Sequence, residues 1–131
     1  MALPFTRKML MDWSGPDVFR AGLTLFKEME YSDLRRMQID LETLSLDPAA
    51  PEAGIIMISV RQGDFEEVLV RDTTEADLID DFCRLVQKLD PDVIEGHNVG
   101  RFDFPYLIHR ATKVGADLPL GRNRSIPRLV D

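Results

Sequence analysis

The sequence predicts an α/β fold: a mixed sheet of three antiparallel strands followed by a parallel strand, with helices packed on it. Three observations lead there. Apolar runs at 35–44, 55–61 and 65–71 have strand character and are separated by turn-forming residues. Residues 74–89 repeat apolar side chains at helical spacing. A short apolar run and a second helical stretch then follow, as a strand–helix–strand crossover requires.

The elements are read in order. In 35–44, Met37, Ile39 and Leu41 alternate with Gln38, Asp40 and Glu42, so one face is apolar and the other polar. Residues 47–54 are rich in proline, alanine and glycine and form a loop. Residues 55–61 suit a central strand. Gln62-Gly63-Asp64 turns the chain, and 65–71 returns as the second arm of a hairpin. Thr74 with Asp77 resembles a capping box, and Leu78, Ile79, Phe82, Val86 and Leu89 mark the buried side of the helix. Asp90-Pro91 stops it. Val93 and Ile94 suit a short buried strand, which after a crossover helix lies parallel to an earlier one. Residues 104–114 form a second helix, with Pro105 in its first turn and Gly115 at its end. A short helix is expected over 17–22 and an apolar packing segment over 23–29. Residues 116–131 carry no predicted element. The order is β-β-β-α-β-α. Residues 1–34 are expected to be an extension packing on a core of 35–131.

Charge and composition narrow the function. The net charge of −7 arises in residues 62–92, where ten acids face three bases; the remainder is balanced. Nonspecific nucleic-acid binding by the whole surface is therefore disfavoured, although a local site is not. The single Cys83 excludes an internal disulfide and a cysteine-based zinc site. No 18-residue apolar run and no signal-peptide core are present, so no membrane contact and an intracellular, cytoplasmic location are expected. No P-loop, glycine-rich dinucleotide loop or Ser-His-Asp order appears.

Two stretches carry candidate chemistry. Asp40 and Glu42 share a strand face with no base between them, and partial burial of such a pair raises its pKa values or demands a cation. The spacing alone says little, because Asp64-Phe65-Glu66 repeats it at a turn. The second stretch is Asn98-Val99-Gly100-Arg101-Phe102-Asp103. Its local explanation is turn chemistry at Asn98 and Gly100, with Asp103 as N-cap of the following helix. Its functional explanation is position: in an open α/β sheet, ligands gather where strands end and helices begin. With the fourth strand beside the first, Asp103 would approach Asp40 and Glu42, and three converging carboxylates imply a metal. His97 could line such a site but has no metal-spaced partner, and His109 reads as an ordinary helix residue.

"MQIDLETL" followed by "DPDVIEGHNVGRFDFPYL" resembles the 3′–5′ exonuclease domain of family B DNA polymerases, a DEDD exonuclease of the ribonuclease H-like superfamily. The likeness runs from about Phe26 to about Arg122 and is greatest to prokaryotic polymerase-like proteins. It implies that Asp40, Glu42 and Asp103 are catalytic metal ligands for two Mg²⁺ or Mn²⁺ ions in a complete site. It implies that Asn98 and Phe102 hold the 3′-terminal nucleotides, and that Leu41 and Thr43 lie near the last one. The implied partners are single-stranded DNA or a frayed duplex 3′ end, and a polymerase domain or subunit. The implied location is with the nucleoid, and the implied task proofreading in replication or repair. The alternative is a non-catalytic nucleic-acid-binding or structural module on the same fold. One departure stands out. The third exonuclease motif, which supplies a fourth carboxylate, has no counterpart among the later acids Asp117 and Asp131. A truncated fragment lacking a final strand and helix is therefore expected.

Overall fold

The structure, a computed structural model, describes residues 30–130. The helix expected at 17–22, the segment at 23–29 and most of the proposed extension lie outside them, as does Asp131. A one-turn 3₁₀ helix, Tyr31–Asp33, leads into β1 (Arg36–Thr43). Then come β2 (Ile55–Gln62), β3 (Phe65–Val70), α1 (Glu75–Leu89), β4 (Val93–Glu95) and α2 (Phe104–Val114). The strands form one sheet in the order β3-β2-β1-β4. β1 pairs antiparallel with β2, β2 antiparallel with β3, and β1 parallel with β4. This is the mixed sheet that the apolar patterns predict.

Alternation along β1 decides which side is core. Met37, Ile39 and Leu41 are buried with Ile58 and Val60 of β2 beneath Phe82 and Val86 of α1 and Leu107 of α2. The opposite face, carrying Asp40 and Glu42, is exposed. Both helices therefore cover one side of the sheet and leave the acidic side open. Cys83 is part of this core, and burial pushes its thiol pKa up to about 12, as suits a packing residue. Gly63, at φ +60°, turns the β2–β3 hairpin, so the second Asp-x-Glu, at Asp64 and Glu66, is a solvated turn feature.

The helix ends follow their caps. The Thr74 hydroxyl oxygen accepts the Asp77 amide at 3.1 Å, and Asp90 ends α1 in the left-handed region at φ 47°. Asp90 and Asp92 are clasped from two sides. Arg35 reaches Asp90 at 2.9 Å, and Arg122 reaches Asp90 at 2.6 Å and Asp92 at 2.5 Å. The segment after α2 has no regular element, as expected, yet Leu118 and Leu120 are buried in the core. Among the described residues, no helix is long and apolar enough to cross a membrane.

A second set of contacts fixes α2. Arg110 and Glu75 are both buried and form a forked pair: Arg110 Nη2 lies 2.6 Å from Glu75 Oε1, and Nε lies 3.0 Å from the same oxygen. Glu75 Oε2 also accepts the Ile55 amide at 2.6 Å, and Arg110 Nη1 donates to the Pro48 carbonyl at 3.0 Å. One ion pair thereby joins the start of α1, the middle of α2, the start of β2 and the loop after β1.

Candidate active site at the end of the first strand

β4 is short, and that creates the site. It pairs only with Arg36, Met37 and Gln38, so among the described residues the edge of β1 beyond Gln38 has no strand neighbour there. The chain leaves β4 through Gly96, which passes against the Ile39 carbonyl oxygen. A Cβ on Gly96 would stand 2.7 Å from that oxygen, which only glycine avoids. The chain then enters a π-helical turn, Val99–Asp103, that runs directly into α2. The Asn98 carbonyl anchors this turn by accepting the amides of Arg101, Phe102 and Asp103 at 3.2, 2.8 and 3.3 Å.

This geometry corrects the N-cap reading of Asp103. Its backbone is already helical, at φ −60° and ψ −52°, and its side chain makes no cap hydrogen bond. The carboxylate turns instead toward β1, where Oδ1 accepts the Leu41 amide at 3.3 Å. That amide belongs to the edge that β4 leaves open. The long-range acceptor role displaces the local one because helical backbone continues through Asp103, so its neighbouring amides need no side-chain cap.

The electrostatics match a site short of positive charge. Asp103 is buried, and burial raises its carboxyl pKa above the ordinary 3.8; nearby Asp40 raises it further, while the Leu41 amide and His97 oppose the rise. The residues directly opposite the acids are neutral, Ser59 across from Asp40 and Met57 across from Glu42. Among the described residues, no lysine or arginine forms a salt bridge with Asp40, Glu42 or Asp103. The β1–β2 ladder shifts register between Glu42 and Thr43, just past the acid pair, with Ile56 of β2 as the extra residue. Asp40 also borders a shallow depression on the open face with Gln38, Ser59, Arg61 and Val68.

The predicted site residues therefore fall into groups. Asp40 and Asp103 are close enough to affect one another, and Glu42 sits exposed one step along the same face. Leu41 is buried and takes part through its amide; Thr43 is half-buried beyond the register shift. Asn98 is exposed and anchors the turn, and Phe102 is half-buried against Tyr106. His109 is exposed on α2. The donor set consists of hard carboxylate oxygens, which suit a divalent cation such as Mg²⁺ or Mn²⁺. Among the described residues, however, no three His, Cys, Asp or Glu side chains are gathered into a metal-holding group. Sequence reasoning missed Tyr106, whose neighbours become visible only in three dimensions.

A model of the DNA polymerase family B exonuclease domain matches residues 61–128. The chain belongs to that family. The match takes in the Asn98–Asp103 turn. The DNA polymerase of Archaeoglobus fulgidus is 37% identical over 99 residues, which is 74% of this chain and 12% of that protein. DNA polymerase 1 of Pyrococcus abyssi is 33% identical over 138 residues, covering 97% of this chain and 17% of that one. The solved family B DNA polymerase of Pyrobaculum calidifontis superposes with a TM-score of 0.64 at 35% identity, over 72% of this chain and 13% of its own. This exonuclease-domain chain thus spans less than a fifth of the length of the relatives it matches. Its mixed four-stranded sheet has the fold of the matching region in a solved polymerase.

Proposed function

We propose that this domain is a metal-dependent 3′–5′ exonuclease acting on DNA, with Asp40, Glu42 and Asp103 as metal ligands. The observation that carries the reading is the convergence of two exonuclease motifs. The Asp103 carboxylate reaches the backbone of the strand bearing Asp40 and Glu42, and among the described residues no lysine or arginine forms a salt bridge with that pair. Divalent ions bound there would acidify an attacking water and offset charge on the leaving 3′-oxygen. The chain's own residues prepare for that. Asp40 and Glu42 present carboxylates to solvent from a rigid central strand. Asp103 closes the open edge of β1. Phe102, half-buried, offers a ring edge for a terminal base, and stacking tolerates any base, as a proofreader requires. Asn98 holds the turn that carries Phe102, while Leu41 and Thr43 flank the acids near the terminal nucleotide. The reading extends to a single-stranded or frayed 3′ end as substrate, to a polymerase domain or subunit as partner, and to work beside nucleoid DNA in the cytoplasm. Residues 1–34 are proposed as an extension of the exonuclease core.

The test is trimming of a 3′-labelled single-stranded DNA oligonucleotide in Mn²⁺. Trimming is expected, and Asp40→Ala should abolish it. Equal trimming by wild type and Asp40→Ala would exclude the assignment. An RNA oligonucleotide of the same sequence separates deoxyribonuclease from ribonuclease action.

One observation favours a second reading. The three acids are not gathered as a closed metal site among the described residues, which suits a non-catalytic nucleic-acid-binding module. Oligonucleotide binding without any Mn²⁺ binding at millimolar concentration would support it.

A further inference from the structure

Tyr106 lies three residues past Asp103, in the first turn of α2, and only 1% of its surface is exposed. That burial excludes it as a stacking platform for a nucleotide, and its two polar and aromatic contacts point elsewhere. Its ring lies 5.3 Å from that of Phe102, tilted by 43°. Phe102 stands four residues earlier, so the two rings meet on one helical face. Its hydroxyl donates to the Ser45 carbonyl at 2.7 Å, across 61 residues. Ser45 lies three residues past Glu42, beyond the register shift of β1. Tyr106 therefore links the two regions: its ring packs on Phe102, and its hydroxyl holds the chain two residues past the acidic strand.

Only one other side-chain contact described above ties this turn to β1, the 3.3 Å hydrogen bond from the Leu41 amide to Asp103. That tie uses one oxygen of a proposed metal ligand. The Tyr106 tie does not. Neither the phenol nor the peptide carbonyl belongs to the donor set.

We propose that Tyr106 is a positioning residue that fixes the separation of the Asp40–Glu42 strand from the Phe102–Asp103 turn. The proposal rests on the reading of the acids as a divalent-metal site. Its consequence is that metal affinity depends on a hydroxyl that contacts neither metal nor substrate.

The experiment compares Mn²⁺ dissociation constants, measured by electron paramagnetic resonance, for wild type, Tyr106→Phe, Tyr106→3-fluorotyrosine and Leu85→Ala. Tyr106→Phe keeps the ring and removes the donor. Its affinity should fall about five-fold, the loss expected of one neutral hydrogen bond. The fluorinated residue keeps the donor and should bind as wild type does. Leu85 is buried on α1, a helix that contributes no residue to either motif. Leu85→Ala should lower the melting temperature more than Tyr106→Phe does, yet leave Mn²⁺ affinity unchanged. Unchanged affinity in Tyr106→Phe, or an equal fall in Leu85→Ala, would overturn the positioning role while leaving the metal site standing. Should Tyr106→Phe fail to fold, weakened binding by the fluorinated variant would overturn it instead. No Mn²⁺ binding by wild type would remove the metal reading and the proposal with it.

Discussion

Arg110→Ala is expected to destabilise the domain by about 3–5 kcal/mol, because it leaves the buried Glu75 carboxylate without its counter-ion. For a domain of this size that loss lowers the melting temperature by about 4–8 °C for each kcal/mol. The damage should also reach beyond the pair. Arg110 donates to Pro48, and Glu75 accepts from Ile55, so the loop joining β1 to β2 loses its anchor on α2. Urea denaturation measures the effect. The double variant Glu75→Gln/Arg110→Leu should be more stable than Arg110→Ala. A neutral amide still accepts the Ile55 hydrogen bond, and leucine refills part of the space. Equal stability of wild type and Arg110→Ala would show that the pair contributes no net stability.

Asp103→Asn is expected to raise the melting temperature of the metal-free protein by a few degrees at pH 7. The sign follows from linkage. Burial and Asp40 raise the folded-state pKa of Asp103 above its unfolded value, so the folded protein holds that proton more tightly. The stability associated with the proton is fully present below the unfolded pKa and is lost as pH rises through the folded one. Above the folded-state pKa wild type bears the cost of a buried charge, and asparagine bears none. Asparagine can still accept the Leu41 amide through its side-chain oxygen. The advantage should therefore shrink as pH falls through the raised folded-state pKa and be gone below the ordinary 3.8, where both side chains are neutral. Thermal melts from pH 3 to pH 8 follow it. A variant less stable than wild type at pH 7 would show that the charge itself is stabilised in place. A stability gain that removes metal binding would mark Asp103 as a residue kept for its chemistry.

The sequence was most legible where local chemistry and tertiary packing agree. In β1, alternation alone separated Met37, Ile39 and Leu41 from Asp40 and Glu42. Thr74 and Asp90 bounded α1, and Pro105 and Gly115 bounded α2, because each supplies a backbone or capping requirement specific to a helix end. The crossover rule made β4 parallel to an earlier strand without saying which; the structure sets it beside β1, and the proximity of Asp40 and Asp103 follows from that placement. Legibility failed where partners lie far apart in the chain. A π-helical turn at Val99–Asp103 has no local signature, so Asp103 read as an N-cap until the Leu41 amide, 62 residues away, took its carboxylate. Glu75 looked like one more acid in a charged block, although it is buried beneath Arg110. Likewise, Leu118 and Leu120 are core residues in a stretch without periodicity.

Mn²⁺ binding tests the site directly. Electron paramagnetic resonance at neutral pH should show wild type binding the ion weakly, in the millimolar range, and both Asp40→Asn and Asp103→Asn losing that binding while remaining folded. Binding of equal strength in wild type and either variant, or none in wild type, would contradict a divalent-metal site at Asp40, Glu42 and Asp103.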